Sequence, residues 1–207
     1  MTPRSPARRS ILAAPLALAA WLTLVAVIGG GCSVLGPTPT PDAAAPCAGA
    51  DEQRAPGFDP ELEALLPAAI EGVAPSKRDS GRYCSAQALG LLAEGGFEEV
   101  RFAGATWPGD NASGLAVIVY RAPGLTLDAM ADSFARGADD ARSVNQVHAQ
   151  AIEVVGRPAV RIDAAMRDDP QTVYLWPGAT KDTINVVIGS DVEQARLDAA
   201  IAAMRDR

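Results

Sequence analysis

The second half of the chain is a series of short segments that alternate apolar with polar residues or stay apolar for a few positions. No other sequence feature constrains the fold as strongly. The segments are 147–151, 160–163, 173–176 and 184–188. Side chains of a strand point alternately to its two faces, so each segment predicts a strand. Turn residues such as Gly156-Arg157-Pro158 separate the segments. The series therefore predicts an antiparallel meander.

Two more strands and several helices are predicted from the remaining sequence. Val100 and Phe102 alternate with Arg101, and the segment 115–120 is apolar on both faces, which is typical of a covered central strand. Helices are expected at four places, each near a capping or stop signal: 60–66 after Asp59, 83–94 before Gly95, 127–138 after Thr126, and from the capping box at 190–193 to about Met204. We expect an α+β domain of two layers, a mainly antiparallel sheet of about six strands with helices on one face.

The tripeptide Trp-Pro-Gly occurs twice, at 107–109 and at 176–178. Each copy follows a predicted strand and precedes an apolar strand and a capped helix. Two explanations stay open. Either the copies mark a duplicated strand–turn–strand–helix unit, or Pro-Gly is simply a good hairpin tip beside an aromatic anchor.

The N-terminus carries an apolar run from Ile11 to Gly31, preceded by Arg4, Arg8 and Arg9 with no acidic residue among them. A positive leader, an apolar stretch and small residues at its end are the layout of a secretory signal peptide, here residues 1–31. Arg8-Arg9 also fits a twin-arginine signal, so export by the Sec or the twin-arginine route is open. A transmembrane helix is the alternative. In either case the rest of the chain faces outward.

The apolar run ends at Gly29-Gly30-Gly31-Cys32. Small residues directly before a cysteine resemble the lipobox of bacterial lipoproteins, although Gly29 stands where leucine is commonest. The resemblance covers the leader alone. It implies that the Cys32 thiol carries lipid and that Cys32 becomes the mature N-terminus at the outer face of the cytoplasmic membrane. Residues 32–57 are then the lipid anchor and a Pro/Ala-rich linker, and residues 58–207 form a single α+β globular domain.

Cysteine usage fits this location. The chain has three cysteines, and if Cys32 carries lipid, Cys47 and Cys84 remain as one pair. An oxidising compartment favours a disulfide between them. Closing a loop of that length stabilises a domain by about 3–4 kcal/mol if the effect is entropic. Two unpaired thiols are the alternative.

The charge of the chain excludes some partners. Three of the 18 basic residues and none of the 25 acidic residues lie in the leader, so residues 32–207 carry 25 acids against 15 bases, a net charge of −10. Nucleic acid is excluded because its phosphates require a basic face. Adhesion to anionic lipid by charge is excluded for the same reason. Membrane attachment is therefore expected through the lipid on Cys32.

Catalytic groups are scarce. His148 is the single histidine, and it shares a strand face with Gln146 and Gln150, so we expect it to be exposed and remote from any nucleophile. Neighbouring acids at 98–99, 139–140 and 168–169 point to opposite sides of the backbone, whereas acid–base catalysis needs two carboxyls that face one substrate. No catalytic residue is predicted.

Metal and cofactor motifs are equally scarce. Zinc requires three or four closely spaced soft ligands, which the chain lacks. The oxygen-rich residues Asp110, Asn111 and Ser113 would suit calcium in kind but not in spacing. No phosphate-binding glycine loop is present. We therefore predict no metal and no cofactor.

These observations favour a lipid-anchored, non-enzymatic binding or interaction module for a protein or a small apolar ligand. The alternative is a carboxylate-dependent hydrolase acting on cell-envelope polymers. A deep apolar pocket would favour a carrier, and a cleft with two facing carboxyls would favour the hydrolase. A structure with neither would favour a protein-interaction or structural role.

Overall fold

The computed structural model describes residues 41–47, 52–110, 113–140, 144–166 and 169–205. Within these ranges eight strands form one open sheet in which all neighbours are antiparallel. The strands are β1 (Glu52–Ala55), β2 (Lys77–Tyr83), β3 (Val100–Pro108), β4 (Gly114–Arg121), β5 (Val144–Val154), β6 (Arg157–Met166), β7 (Asp169–Pro177) and β8 (Thr183–Ser190). The helices are α1 (Pro60–Glu63), α2 (Ala86–Leu89), α3 (Leu91–Glu94), α4 (Leu127–Asp140) and α5 (Gln194–Ala203). The predicted α+β class and antiparallel sheet are confirmed.

The sheet consists of two four-stranded meanders, β1–β4 and β5–β8. Their order is β1-β2-β3-β4-β8-β7-β6-β5, so β4 and β8 join the meanders at the centre of the sheet. The second meander and the central position of β4 match the sequence prediction. The prediction of about six strands is wrong because it omits β1 and β2. β1 lies within the predicted linker 32–57, so the sheet already begins at Glu52.

Apolar side chains pack on both faces of the sheet, which corrects the prediction of helices on one face. In β4, the odd-numbered residues 115–119 belong to one buried cluster and the even-numbered residues 118 and 120 to another. Alternate residues of a strand face opposite sides. Helices α1 and α5 add residues to the first cluster, and α2, α3 and α4 to the second. We call these sides of the sheet the first face and the second face.

The two meanders are related by a local two-fold axis that is perpendicular to the sheet. The pair Val117–Val187 of β4 and β8 lies at its centre. Trp107 pairs with Leu115 in one meander and Trp176 with Asn185 in the other, and both partners stand two residues before the central valine. The two Trp-Pro-Gly turns therefore occupy equivalent places. The helices break the relation, because α4 packs on the second face and α5 on the first.

The equivalent turns share their local chemistry. Gly109 N donates to Ser113 O and Gly178 N donates to Thr183 O, each at 2.9 Å. A β-carbon at either glycine would collide with the hydroxyl of that same partner residue. Both turns therefore favour glycine at this position, where a larger residue would force the neighbouring hydroxyl to move.

Three helix predictions need correction. The predicted helix 60–66 is shorter, since α1 ends at Glu63. The predicted helix 83–94 is two short helices, because Gly90 has φ 54° and ψ −125°, a conformation that interrupts the helix. The predicted capping box at 190–193 is absent. Asp191 has φ 49°, and Glu193 takes the N-cap position of α5 without a side-chain hydrogen bond. The other two predicted caps are confirmed, since Asp59 accepts from Leu62 N and Thr126 accepts from Ala129 N.

Candidate functional site

A disulfide ties the segment 41–47 to the first meander. Cys47 and Cys84 are bonded, with their Cα atoms 5.4 Å apart and a sequence separation of 37. Cys84 stands between the end of β2 and Ser85, the N-cap of α2, and not in the first turn of a helix as the sequence suggested. Such a bond indicates an oxidising, extracytoplasmic compartment. Cys32 and the leader lie outside the described residues, so lipidation stays a prediction.

A buried carboxylate organises the edge of the first meander. Asp59 is only 4 % exposed and pairs with two arginines that face each other across β3 and β4: Arg121 at 2.9 Å and Arg101 at 3.6 Å. Its backbone N–H donates to Ser80 Oγ, and Ser80 donates to Glu63. One buried acidic side chain thus contacts two cations and caps the start of α1.

A buried arginine extends this network to β1. Arg82 is 1 % exposed and donates to Gln53 Oε1 through both Nε and Nη2, at 2.9 and 2.7 Å. It also donates to Asp42 O, lies 3.5 Å from Glu99 and stacks over Phe58. The charge on Arg82 therefore holds β1 and the disulfide-linked segment against the rest of the sheet.

The larger groove of the described part has a volume of about 620 Å³ and adjoins this network. Its lining residues include Glu98, Glu99, Arg101, Arg121 and Asp182. Burial acts to lower the pKa of Arg101, but the hydrogen bond to Glu99 and the charges of Glu99 and Asp59 outweigh it and raise that pKa. Arg101 and Glu99 are 2.7 Å apart. Two of the charges in the groove are thus already paired with each other.

A smaller groove of about 330 Å³ lies near the end of β8. Its lining includes three acidic residues and one arginine: Glu71, Asp191, Glu193 and Arg196. Charged side chains thus line both grooves. Neither of these two grooves is the deep apolar pocket that a carrier would require.

The residues singled out in the sequence are widely separated in the structure. Within the described ranges, no three histidine, cysteine or acidic side chains are grouped so as to hold a metal ion. Asp139 and Asp140 are exposed at the end of α4. Of the oxygen-rich residues that would suit calcium in kind, Asn111 lies outside the described residues. As expected, His148 is exposed on β5. It turns out to stand in the middle of an outer strand, a position that sequence alone did not reveal.

The outer edge formed by β5 is the most unusual surface of the described part. β5 is eleven residues long and stands last in the sheet. Its residues 146, 148–151 and 153 are exposed, and Glu153 is its single charged residue. Natural edge strands are usually short, charged or interrupted by proline, because a free edge can pair with another strand. β5 has a register shift near its start, between Val144 and Gln146, and is regular beyond it.

The turn after β5 fixes which backbone groups point outward. Val155 and Gly156 have φ values of 48° and 76°, as a type I′ turn requires. The flanking residues Val154 and Arg157 then form a hydrogen-bonded pair. Because hydrogen-bonded and non-hydrogen-bonded pairs alternate in an antiparallel ladder, even-numbered residues of β5 bond to β6. The N–H and C=O groups of the odd-numbered residues 147–153 face away from the sheet.

No protein-family model matches the chain, and no curated protein is similar enough to count as a match. Within the described ranges, none of the helices is long and apolar enough to cross a membrane. A functional proposal therefore depends on the residues of this chain itself.

Proposed function

We propose that the protein is a lipid-anchored extracytoplasmic module without catalytic activity that binds a protein through the outer edge of β5. The observation that carries this proposal is the free edge itself: nine regularly paired residues, 146–154, of which one is charged. Adding a strand to such an edge satisfies the outward backbone groups and is a recurrent mode of protein recognition.

The remaining features support an extracytoplasmic, membrane-anchored location and do not identify the bound protein. The disulfide fits an oxidising compartment. The leader ending at Cys32 supplies the anchor, and the proline-rich stretch after it acts as a spacer between membrane and sheet. An anchored module of this kind presents β5 to proteins at or near the membrane surface.

The anchor is tested by labelling with a radioactive fatty acid. Cys32→Ala should abolish incorporation of the label, because the acylated thiol is gone. The matched control Cys47→Ala should retain the label, since Cys47 belongs to the disulfide. Equal labelling of the wild-type protein and Cys32→Ala would contradict the proposal.

Binding through β5 is tested in intact cells by replacing Gln150 with a benzophenone amino acid and irradiating. Gln150 is exposed on β5. The matched control places the same group at Ala195, an exposed residue of α5. A discrete cross-linked protein from position 150 but not from 195 supports the proposal. If neither position gave a cross-linked product, the proposal would be wrong.

A further inference from the structure

The chemistry of β5 also indicates what kind of strand it accepts. We propose that two copies of this chain pair through β5, antiparallel and centred on Ala149, so that their sheets become continuous. This inference rests on the proposed function and names its partner. A homodimer of this type is related by a two-fold axis, and the chain already contains the same arrangement where β4 meets β8.

Ala149 is the middle residue of β5 (Val144–Val154), so an axis there places each residue of the strand opposite another, with the register shift near Val144 confined to the outermost pairs. Its backbone N–H and C=O face outward, and the two copies of Ala149 would exchange both hydrogen bonds across the axis. Val147 would pair with Ala151 by the same pattern. A centre one residue away in either direction would leave end residues of β5 unpaired.

The side chains suit this register. His148 would face Gln150 of the second copy at a non-hydrogen-bonded pair, where side chains come closest and an imidazole can bond to an amide. The apolar pair of Val147 and Ala151 would lie on the opposite face of the sheet. Glu153, the single charge of β5, would pair with the position of Asn145, far from the axis. No like charges would therefore stand opposite each other.

The membrane anchor makes a small contact sufficient. Pairing of two single strands buries much less surface than a standard stable interface, and two acidic copies repel each other. Identical tethers would hold both β5 strands at the same height and confine them to the membrane plane, which raises their effective concentration. We therefore expect pairing at a membrane, strengthened when salt screens the repulsion.

The test uses the full lipidated chain in phosphatidylcholine vesicles with single added cysteines. Ala149→Cys should give a covalent dimer under mild oxidation at least tenfold faster than Ala195→Cys on α5, because the paired Cα atoms would lie about 5.5 Å apart, within disulfide range. Val147→Cys and Ala151→Cys should cross-link when mixed and not separately. Raising the salt from 50 to 300 mM should accelerate the reaction.

A variant that blocks strand pairing distinguishes specific pairing from random collision of the added cysteines. Ala149→Pro removes an N–H that faces outward, so the ladder to β6 stays intact and the variant should fold. It should abolish the mixed cross-link between Val147→Cys and Ala151→Cys. Retention of that cross-link, or equal rates at positions 149 and 195, would overturn the pairing.

The photo-cross-linking at Gln150 separates this inference from the proposed function. A product of twice the chain mass supports both. Products with other proteins alone would leave the proposed function standing and overturn pairing between copies. The absence of any product would overturn both.

Discussion

The two outer strands of the sheet, β1 and β5, occupy equivalent ends of the two meanders but differ in length and charge. β1 has four residues, two of them charged, and its Gln53 accepts from Arg82 of β2, which also donates to Asp42 O in the disulfide-linked segment. β5 has eleven residues, a single charge and an exposed surface. Among the described residues, one end of the sheet is therefore a short, charged strand beside a covalent link, while the other is a long strand with one charge.

The meanders behind these edges differ in the same way. The local two-fold axis places β2 opposite β6. In β2 the buried residues include Asp79, Ser80 and Arg82, whereas β6 buries Ile162 and two alanines. Asp79 is compensated by Lys77 at 2.7 Å. One topology can thus be stabilised by paired charges in one half and by apolar alternation in the other.

Removal of the disulfide should have the largest effect on stability, and it should act mainly on the first meander. Replacing Cys47 and Cys84 together by alanine should lower the free energy of unfolding by about 4 kcal/mol, as expected for a loop of this length. Urea titration measures the loss. Amide hydrogen exchange should accelerate in β1 and remain slow in β8. Uniform acceleration across both meanders would show that the disulfide stabilises more than the β1 side of the sheet.

Asp59→Ala should come next, at about 3 kcal/mol, because it removes the cap of α1 and the buried partner of two arginines. Arg101 and Arg121 would keep only their more exposed acidic partners Glu99 and Glu61. The control is Glu61→Ala. Glu61 contacts Arg121 at 3.3 Å but its side chain is 84 % exposed, so the loss should stay below about 0.5 kcal/mol. Similar losses in both variants, measured by thermal unfolding, would show that burial of Asp59 is unimportant.

The two tryptophans of the Trp-Pro-Gly turns test how far the meanders are equivalent. Trp107 Nε1 donates to Val73 O at 2.9 Å, while the buried Trp176 Nε1 has no partner among the described residues. Trp107→Phe should therefore cost about 1 kcal/mol more than Trp176→Phe. Chemical denaturation of both variants measures the difference. The reverse order would mean that Trp176 makes the more valuable polar contact.

His148→Ala should have the smallest effect. His148 is exposed on β5, so the substitution should change stability by no more than about 0.5 kcal/mol. Thermal unfolding gives the value. A loss of several degrees in Tm would place the imidazole in a structural role and would contradict the exposed position of β5.

The second meander was predictable from sequence because its strands show the periodicity of a buried face. β2 was not, since its sequence Lys-Arg-Asp-Ser-Gly-Arg-Tyr is polar throughout. Its buried Asp79 pairs with Arg54 and its buried Arg82 donates to Gln53, both from β1. Such contacts join separate segments and therefore leave no periodic pattern in the sequence of β2. The apolar odd and even positions of β4 indicate a core on both faces of the sheet. The sequence prediction used them only to place β4 as a covered central strand.

The candidate site, too, was predictable from sequence only in part. The exposure of His148 followed from its glutamine neighbours, and the disulfide followed from the number of cysteines. The role of β5 as the outer strand did not, because strand order depends on the pairing of β4 with β8, some 70 residues apart in sequence. Asp59 was predicted as a helix cap, but its two arginine partners come from β3 and β4 and could be identified only in three dimensions.

The central pairing of β4 with β8 also dictates the order in which the molecule can be completed. A chain that emerges N-terminus first finishes β4 at Arg121, while its neighbour starts only at Thr183. Until then the valine- and isoleucine-rich edge of β4 is unprotected, and closing so distant a contact is slow. A chain truncated before β8 would keep that edge permanently, and it should be prone to aggregation even though its first meander is complete.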